Sequence, residues 1–161
     1  TTKGLKPIGK YKHSYKYKWL WGSFSPITGE SFCMLTDNVC KELFIQYLED
    51  FSKHKPNELK ILIIDNASFH STKDVILPDN IVLLPIPPYC PELNPAERVW
   101  EWMKNKTAMK IYDNLEILET KMEELIGSME NEICKSLTGY EFILNAYSNV
   151  FKVGINLSCI N

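Results

Sequence analysis

The feature that most constrains this chain is the stretch over residues 59–104, in which two short aliphatic runs each lead to an acid. Residues 61–64 are all aliphatic and bounded by polar residues, which is typical of a central strand covered on both faces, and Asp65 follows directly. Residues 81–86 predict a second strand, and a proline-rich loop then carries Glu97 into the first turn of a helix. Two carboxylates at the ends of rigid elements suit a divalent-metal site, so we expect function to be decided here.

Length and composition indicate one soluble globular domain. The 161 residues are 45% hydrophobic and 24% charged, and no apolar run approaches the roughly 20 residues that cross a bilayer. The basic start is not followed by the apolar segment of a signal peptide. The five cysteines contain no C-x-x-C pair, which favours reduced thiols over a disulfide framework or a zinc site. We therefore expect an intracellular protein without a membrane partner, located in the cytoplasm or nucleoid if its source is bacterial.

Charge is unevenly distributed, although the formal net charge is only −2. Residues 1–18 contain six lysines and no acid, whereas residues 113–132 contain seven acids against Lys121. A basic end of this kind can act as a phosphate-binding arm, or it can be a solvated terminus. The sequence leaves both interpretations open.

The remaining elements follow from hydrophobic period and turn residues. Trp19–Phe24 and residues 30–35 predict a hairpin around a turn at residues 25–29. Apolar residues at helical spacing over residues 39–51 predict a helix, capped by Asp37 or Asn38. A further helix begins at Asn94.

Capping-box spacing at residues 113–116 and 138–141 predicts two more helices, and residues 150–161 remain unassigned. The fold class is thus α/β, with a mixed sheet flanked by helices.

Each acid has a functional and a structural interpretation. A carboxylate just past a buried strand faces the crevice where open α/β sheets bind ligands, but an aspartate there also ends strands through a turn. Glu97 belongs to Asn94-Pro-Ala-Glu, a helix start that requires no active site. Nearby, His70 could orient a phosphate or a water or could pack at a helix start, while Lys73 and Lys104 could contact phosphates or lie on the surface. Trp100 is assigned to the core, and Trp102 to another helix face that could stack on a base.

Two motifs together resemble those of DDE-superfamily transposases, in the bacterial insertion-sequence branch related to mariner elements. They are IIDNASFH at residues 63–70 and IPPYCPELNPAERVW at residues 86–100, where Cys90 stands in the place of a serine. The resemblance extends through the upstream segments and covers most of the chain to about Lys106.

The resemblance implies an RNase H-like fold in which three carboxylates hold two divalent metals, Mg²⁺ or Mn²⁺. Asp65 matches the second acid of the family and Glu97 the third, with 31 residues between them (97 − 65 − 1). Asn66 and His70 match positions near the site, and Asn94 matches the Asn-Pro signature. The first acid of the family lies upstream of the segment that matches residues 3–9, so it is not expected in this chain.

The leading functional hypothesis is therefore a DNA transposase domain that cleaves and transfers strands at transposon ends. Its partners would be transposon-end and target DNA, and the resemblance implies a homodimer. We expect one RNase H-like domain over residues 1–161, N-terminally incomplete, with a basic arm at residues 1–18 and a C-terminal helical extension at residues 113–161. The alternatives are an inactive DNA-binding or assembly module, because one metal ligand is lacking, and another RNase H-like nuclease, which the second motif disfavours.

Overall fold

The computed structural model describes residues 17–65, 76–108 and 110–150, together with the backbone of a strand at Ile155–Ile160. The predicted hairpin is confirmed: β1 (Trp19–Phe24) pairs antiparallel with β2 (Ser31–Thr36), with Trp19 opposite Thr36. Its turn ends at Gly29, where φ is +78° and an added Cβ would lie 2.2 Å from the carbonyl oxygen of Asn131. Glycine is therefore required there by both backbone conformation and space.

Helix α1 (Lys41–Lys53) covers one face of the sheet. Its buried side chains, Phe44, Tyr47, Leu48 and Phe51, belong to the predicted apolar stripe. The predicted cap was wrong, because Cys40 is the residue that precedes the helix in extended conformation. Asn38 instead accepts a hydrogen bond from the adjacent Val39 N–H at 2.7 Å, so its side chain closes the preceding bend.

The sheet has five strands in the order β2-β1-β5-β3-β4. Strands β3 (Leu59–Ile64) and β4 (Ile81–Pro85) are parallel, with Lys60 opposite Ile81. Strand β5 (Ile155–Ile160) lies between them and the hairpin, parallel to β3 and antiparallel to β1. The tail that the sequence left unassigned thus provides the central strand, and the alternation of apolar and polar residues in INLSCI was the missed signal.

The other helices are α2 (Ala96–Thr107), α3 (Leu115–Gly127), α4 (Asn131–Thr138) and α5 (Glu141–Val150), with a short 3₁₀ helix at Pro91–Leu93 before α2. The cap of α3 is Asn114, which accepts from Ile117 N–H at 2.8 Å, rather than Asp113. Thr138 was predicted to cap a helix but ends one: it is the last residue of α4, and its hydroxyl donates to the Cys134 carbonyl. Helix α4 itself was not predicted.

Two cores lie on opposite faces of the sheet. Leu62 and Ile64 pack in the cluster that α1 covers, and Ile63 packs in the cluster that contains buried residues of α2, α3, α4 and α5. The prediction that β3 is covered on both faces is confirmed. The mixed α/β sheet flanked by helices is compatible with the predicted RNase H-like fold. Across the described ranges, no helix has the length and apolarity that crossing a bilayer requires.

Candidate active site

The candidate site lies at the edge of the sheet where β3 and β4 both end. Because the two strands are parallel, their carboxyl ends meet at this edge. Asp65 follows the last residue of β3 and is half-buried. The Ile86 N–H donates to the Ile64 carbonyl at 2.9 Å, so the strands stay paired up to the residue before Asp65. The core therefore fixes the backbone from which this carboxylate projects.

A cavity of about 400 Å³ opens beside this carboxylate. It is lined by Asp65 and by consecutive residues of the proline-rich loop, Ile86, Pro87, Pro88, Tyr89, Cys90 and Pro91. The prolines restrict the backbone of the wall because each ring holds φ near −65°. The structure therefore brings Asp65 together with the loop that leads to Glu97.

Tyr89 is a feature of this wall to which the sequence analysis gave no role. Its φ of 62° is uncommon for a residue with a side chain, and its ring is completely exposed. A strained, exposed aromatic residue beside a candidate site is a candidate contact for substrate. The sequence feature that could have identified Tyr89 is its position in the Pro-Pro-Tyr motif.

The loop continues into α2 through an ordered first turn. Asn94 is buried, and its side chain accepts from the Ala96 N–H at 3.1 Å, while its carbonyl accepts from the Glu97 N–H at 3.2 Å. Pro95 already has helical angles. Glu97 thus lies in the first turn and is exposed, although it does not line the Asp65 cavity among the residues that the structure describes. These two hydrogen bonds of Asn94 order the start of α2 around Pro95, and a role for Asn94 toward DNA stays a prediction.

Helix α2 is held to the sheet by its buried face. Ala96 and Val99 are fully buried, and Trp100 packs edge-on against Phe24 with ring centroids 5.3 Å apart. A Cβ on Gly22 would lie 2.8 Å from the Trp100 ring, so the absence of a side chain there permits this approach. The prediction that Trp100 belongs to the core is confirmed, and this packing sets where the Glu97 turn lies.

The other predicted residues are more widely distributed. Trp102 packs against the same core, with the Lys106 ammonium 5.6 Å from its ring centroid, so base stacking by Trp102 stays a prediction. Lys104 is exposed in the last turn of α2, about 10 Å along the helix axis from Glu97. Asn66, His70 and Lys73 fall outside the described residues.

Two thiols, the buried Cys134 and the half-buried Cys33, are poor candidates for chemistry. Burial raises the pKa of Cys33 to about 12 and that of Cys134 to about 11, so both remain protonated at neutral pH. Within the described part of the chain, no three His, Cys, Asp or Glu side chains are grouped so that they could hold a metal ion. The assignment of Asp65 and Glu97 as metal ligands stays a prediction.

An α/β sheet with a carboxylate just past the carboxyl end of a buried strand presents that carboxylate in the crevice where such sheets bind ligands. The model of the DDE superfamily endonuclease family matches residues 1–119, and the chain belongs to this family. The chain is also 30% identical over 105 residues to the uncharacterized protein y4pE/y4sA of Sinorhizobium fredii, covering 62% of this chain and 77% of that protein. No solved structure gives a significant match.

Family membership supports an enzyme of the nuclease or transposase type and implies DNA as its substrate. The matched region ends within α3, so α4, α5 and β5 lie beyond it.

Proposed function

We propose that this chain is the catalytic domain of a DNA transposase, which cleaves and joins strands at transposon ends with Asp65 and Glu97 as metal-ligating catalytic residues. The observation that carries the proposal is the half-buried Asp65 at the end of β3, in a cavity walled by the loop that leads to Glu97. The family match supports the same reaction class.

Two carboxylates are donors of the kind that suits Mg²⁺ or Mn²⁺, and two ions are proposed by the family resemblance. Carboxylate oxygens are the ligands that these hard cations prefer, and a half-buried and an exposed carboxylate leave room for the waters that Mg²⁺ retains. Asp65 and Glu97 would hold the ions. A bound ion would neutralise developing charge and would lower the pKa of a water or of a DNA 3′-hydroxyl, which could then act as the nucleophile.

The contribution of the chain's own residues is positioning. Strand β3 fixes the backbone at Asp65 from both faces of the sheet, and the Asn94 cap fixes the first turn at Glu97. Rigid placement of reacting groups lowers the barrier because less freedom is lost on reaching the transition state. His70, Lys73 and Lys104 are proposed to contact DNA phosphates, with salt-sensitive binding as the consequence.

The proposal extends to the organisation of the protein. Residues 1–161 would form one RNase H-like domain, in which the basic segment at residues 1–18 contacts phosphates and the helices of residues 115–150 form an extension that precedes β5. A homodimer would hold paired transposon ends.

The test is metal-dependent nicking by the full-length gene product of DNA that carries the element's own ends. Asp65→Asn and Glu97→Gln should each lower the nicking rate by about a hundredfold or more, because an ion ligand is lost. Glu101→Gln is the matched control, since Glu101 is an exposed glutamate one turn further along α2. Equal nicking by all three variants and the unmodified protein would disprove the assignment. DNA binding without any nicking by the unmodified protein would instead favour the inactive module.

A further inference from the structure

A second pocket lies where α2 meets the start of α5, and its described lining contains no residue of the proline-rich loop. It has a volume of about 680 Å³ and is open to solvent. Its described lining is Arg98, Gly139, Tyr140, Glu141, Phe142 and Asn145. None of these residues was a predicted site residue, and all except Arg98 lie beyond the region that the family model matches.

Flat side chains dominate this pocket. The Arg98 guanidinium lies 5.3 Å from the centroid of the Tyr140 ring, and the Phe142 ring packs edge-on against Tyr140 with centroids 5.7 Å apart. Phe142 is 50% exposed, so one part of its ring is available to a ligand. Aromatic rings and guanidinium planes are the surfaces on which unpaired nucleobases stack.

The backbone around the rings is ordered by hydrogen bonds. The Gly139 N–H donates to the Lys135 carbonyl at 2.7 Å, and the Tyr140 carbonyl accepts from Ile143 and Leu144 at 3.0 Å each. Ile143 is buried in the core between the exposed residues of this turn. The pocket is therefore formed before a ligand arrives, which reduces the entropic cost of binding.

The polar groups of the pocket favour a base over a phosphate. Glu141 and Asn145 are one helical turn apart on α5, and both are exposed. A carboxylate accepts hydrogen bonds from the amino groups of bases, and an amide both donates and accepts. The negative charge of Glu141 opposes a phosphate in the same space.

Arg98 connects this pocket to the candidate active site. Arg98 directly follows Glu97 in the first turn of α2, and both side chains are exposed. A DNA strand whose phosphate reaches Glu97 could therefore place a nearby base against Arg98.

We propose that this pocket binds one unpaired nucleobase of the DNA strand, close to the point of cleavage, by stacking it on the exposed ring of Phe142, with the Arg98–Tyr140 pair as the adjacent wall. The proposal depends on the proposed function for its ligand, DNA. It requires an unpaired base because the faces of a paired base are covered by its neighbours in the duplex.

The test compares binding of two DNAs by the full-length protein without divalent metal, so that no cleavage occurs. One is a blunt duplex with the element's end sequence, and the other is the same duplex with a short single-stranded overhang carrying 2-aminopurine. Phe142→Leu keeps an apolar side chain but removes the ring, and Arg98→Lys keeps the charge but removes the plane. Each should weaken overhang binding by about tenfold and relieve the quenching of 2-aminopurine, with blunt-duplex binding unchanged. Leu144→Ala is the control, because Leu144 is partly exposed on the same helix but does not line the pocket.

Three results would overturn the proposal, and they separate it from the proposed function. If the unmodified protein binds neither DNA, both fail. If it binds the two DNAs equally, or if Phe142→Leu binds the overhang as well as the unmodified protein, only the base pocket fails. If Arg98→Lys weakens both DNAs equally while Phe142→Leu weakens neither, Arg98 contacts phosphate and there is no stacked base.

Discussion

A charged residue lies near each end of β3, and the surroundings of the two side chains differ. Near the amino end, Lys60 is completely buried, and its ammonium donates to the Lys55 carbonyl at 2.9 Å. Immediately past the carboxyl end, Asp65 is half-buried beside an open cavity. The first charge is enclosed by main-chain oxygens and ties a loop to the sheet. The second remains accessible to a ligand.

Further contacts surround Lys60 and the start of β4 at this end of the sheet. Lys60 also lies 3.5 Å from the carbonyls of Ser52 and Glu58 and 5.4 Å from the Phe51 ring centroid. The Asn80 side chain, just before β4, donates to the Ser52 carbonyl at 3.0 Å and accepts from the Ser52 hydroxyl at 2.6 Å. Burial lowers the pKa of Lys60, and these carbonyl acceptors offset part of the cost of its charge. Lys60 thus stabilises the fold, whereas the fold holds Asp65 where a ligand can reach it.

The largest expected change in the free energy of unfolding comes from β5, because this strand lies beside β3 from Leu59 to Ile63. Ser158→Pro removes a main-chain N–H and introduces a ring within a central strand, and should cost about 3 kcal/mol or more. Urea unfolding measures the loss. Ser158→Ala is the control, since it keeps the main-chain donor. If the proline variant is as stable as the unmodified protein, β5 is not a central strand.

The next largest change is expected at the enclosed charge. Lys60→Met leaves the Lys55 carbonyl without its ammonium donor and should cost about 2–3 kcal/mol, within the range for hydrogen bonds from charged groups. Lys53→Met should change stability by less than about 0.5 kcal/mol, because the Lys53 side chain is 72% exposed. Equal stabilities of the two variants in urea would show that the buried ammonium does not hold the loop.

A smaller, pH-dependent effect is expected where the same loop meets the hairpin. The Lys55 ammonium lies 2.5 Å from both carboxylate oxygens of Glu30, and this hydrogen bond lowers the pKa of Glu30. Since the folded pKa lies below the unfolded value, the stabilisation is present above the unfolded pKa and is lost as pH falls through the folded one. Each side chain is 36% exposed, so Glu30→Gln should cost at most about 1 kcal/mol at pH 7. Urea unfolding at pH 7 and pH 3 checks this: the cost should be smaller at pH 3, and a cost as large at pH 3 as at pH 7 would contradict the ion pair as its source.

The features that could be predicted from the sequence are those that local patterns determine. The hairpin, α1 and β3 follow from local patterns, and Asp65 and Glu97 follow from motifs at the ends of such elements. Adjacent cap candidates such as Asp113 and Asn114 were not separated, because both side chains can accept the same kind of N–H bond.

Long-range features were less accessible to sequence reasoning. The place of β5 in the sheet depends on pairing with residues more than 90 positions away, which no local pattern encodes. The pocket that joins Arg98 to Tyr140 and Phe142 was missed for the same reason. Tyr89 lay within a quoted motif, but its φ and exposure became evident only in the structure.

Substitution of Asp65 should change the free energy of unfolding least and the activity most. Asparagine has nearly the same shape and can still accept hydrogen bonds, so Asp65→Asn should alter the free energy of unfolding by no more than about 1 kcal/mol in the absence of metal. A ligand that binds only the folded state raises its stability, so Mn²⁺ should raise the Tm of the unmodified full-length protein. The substitution should abolish most of that increase, because it removes an anionic ligand. Asp79→Asn, at an exposed aspartate before β4, should retain it. If Mn²⁺ raises the Tm of Asp65→Asn as much as that of the unmodified protein, the metal binds elsewhere. Asp65 would then have no metal-binding role to set against the structural role of Lys60.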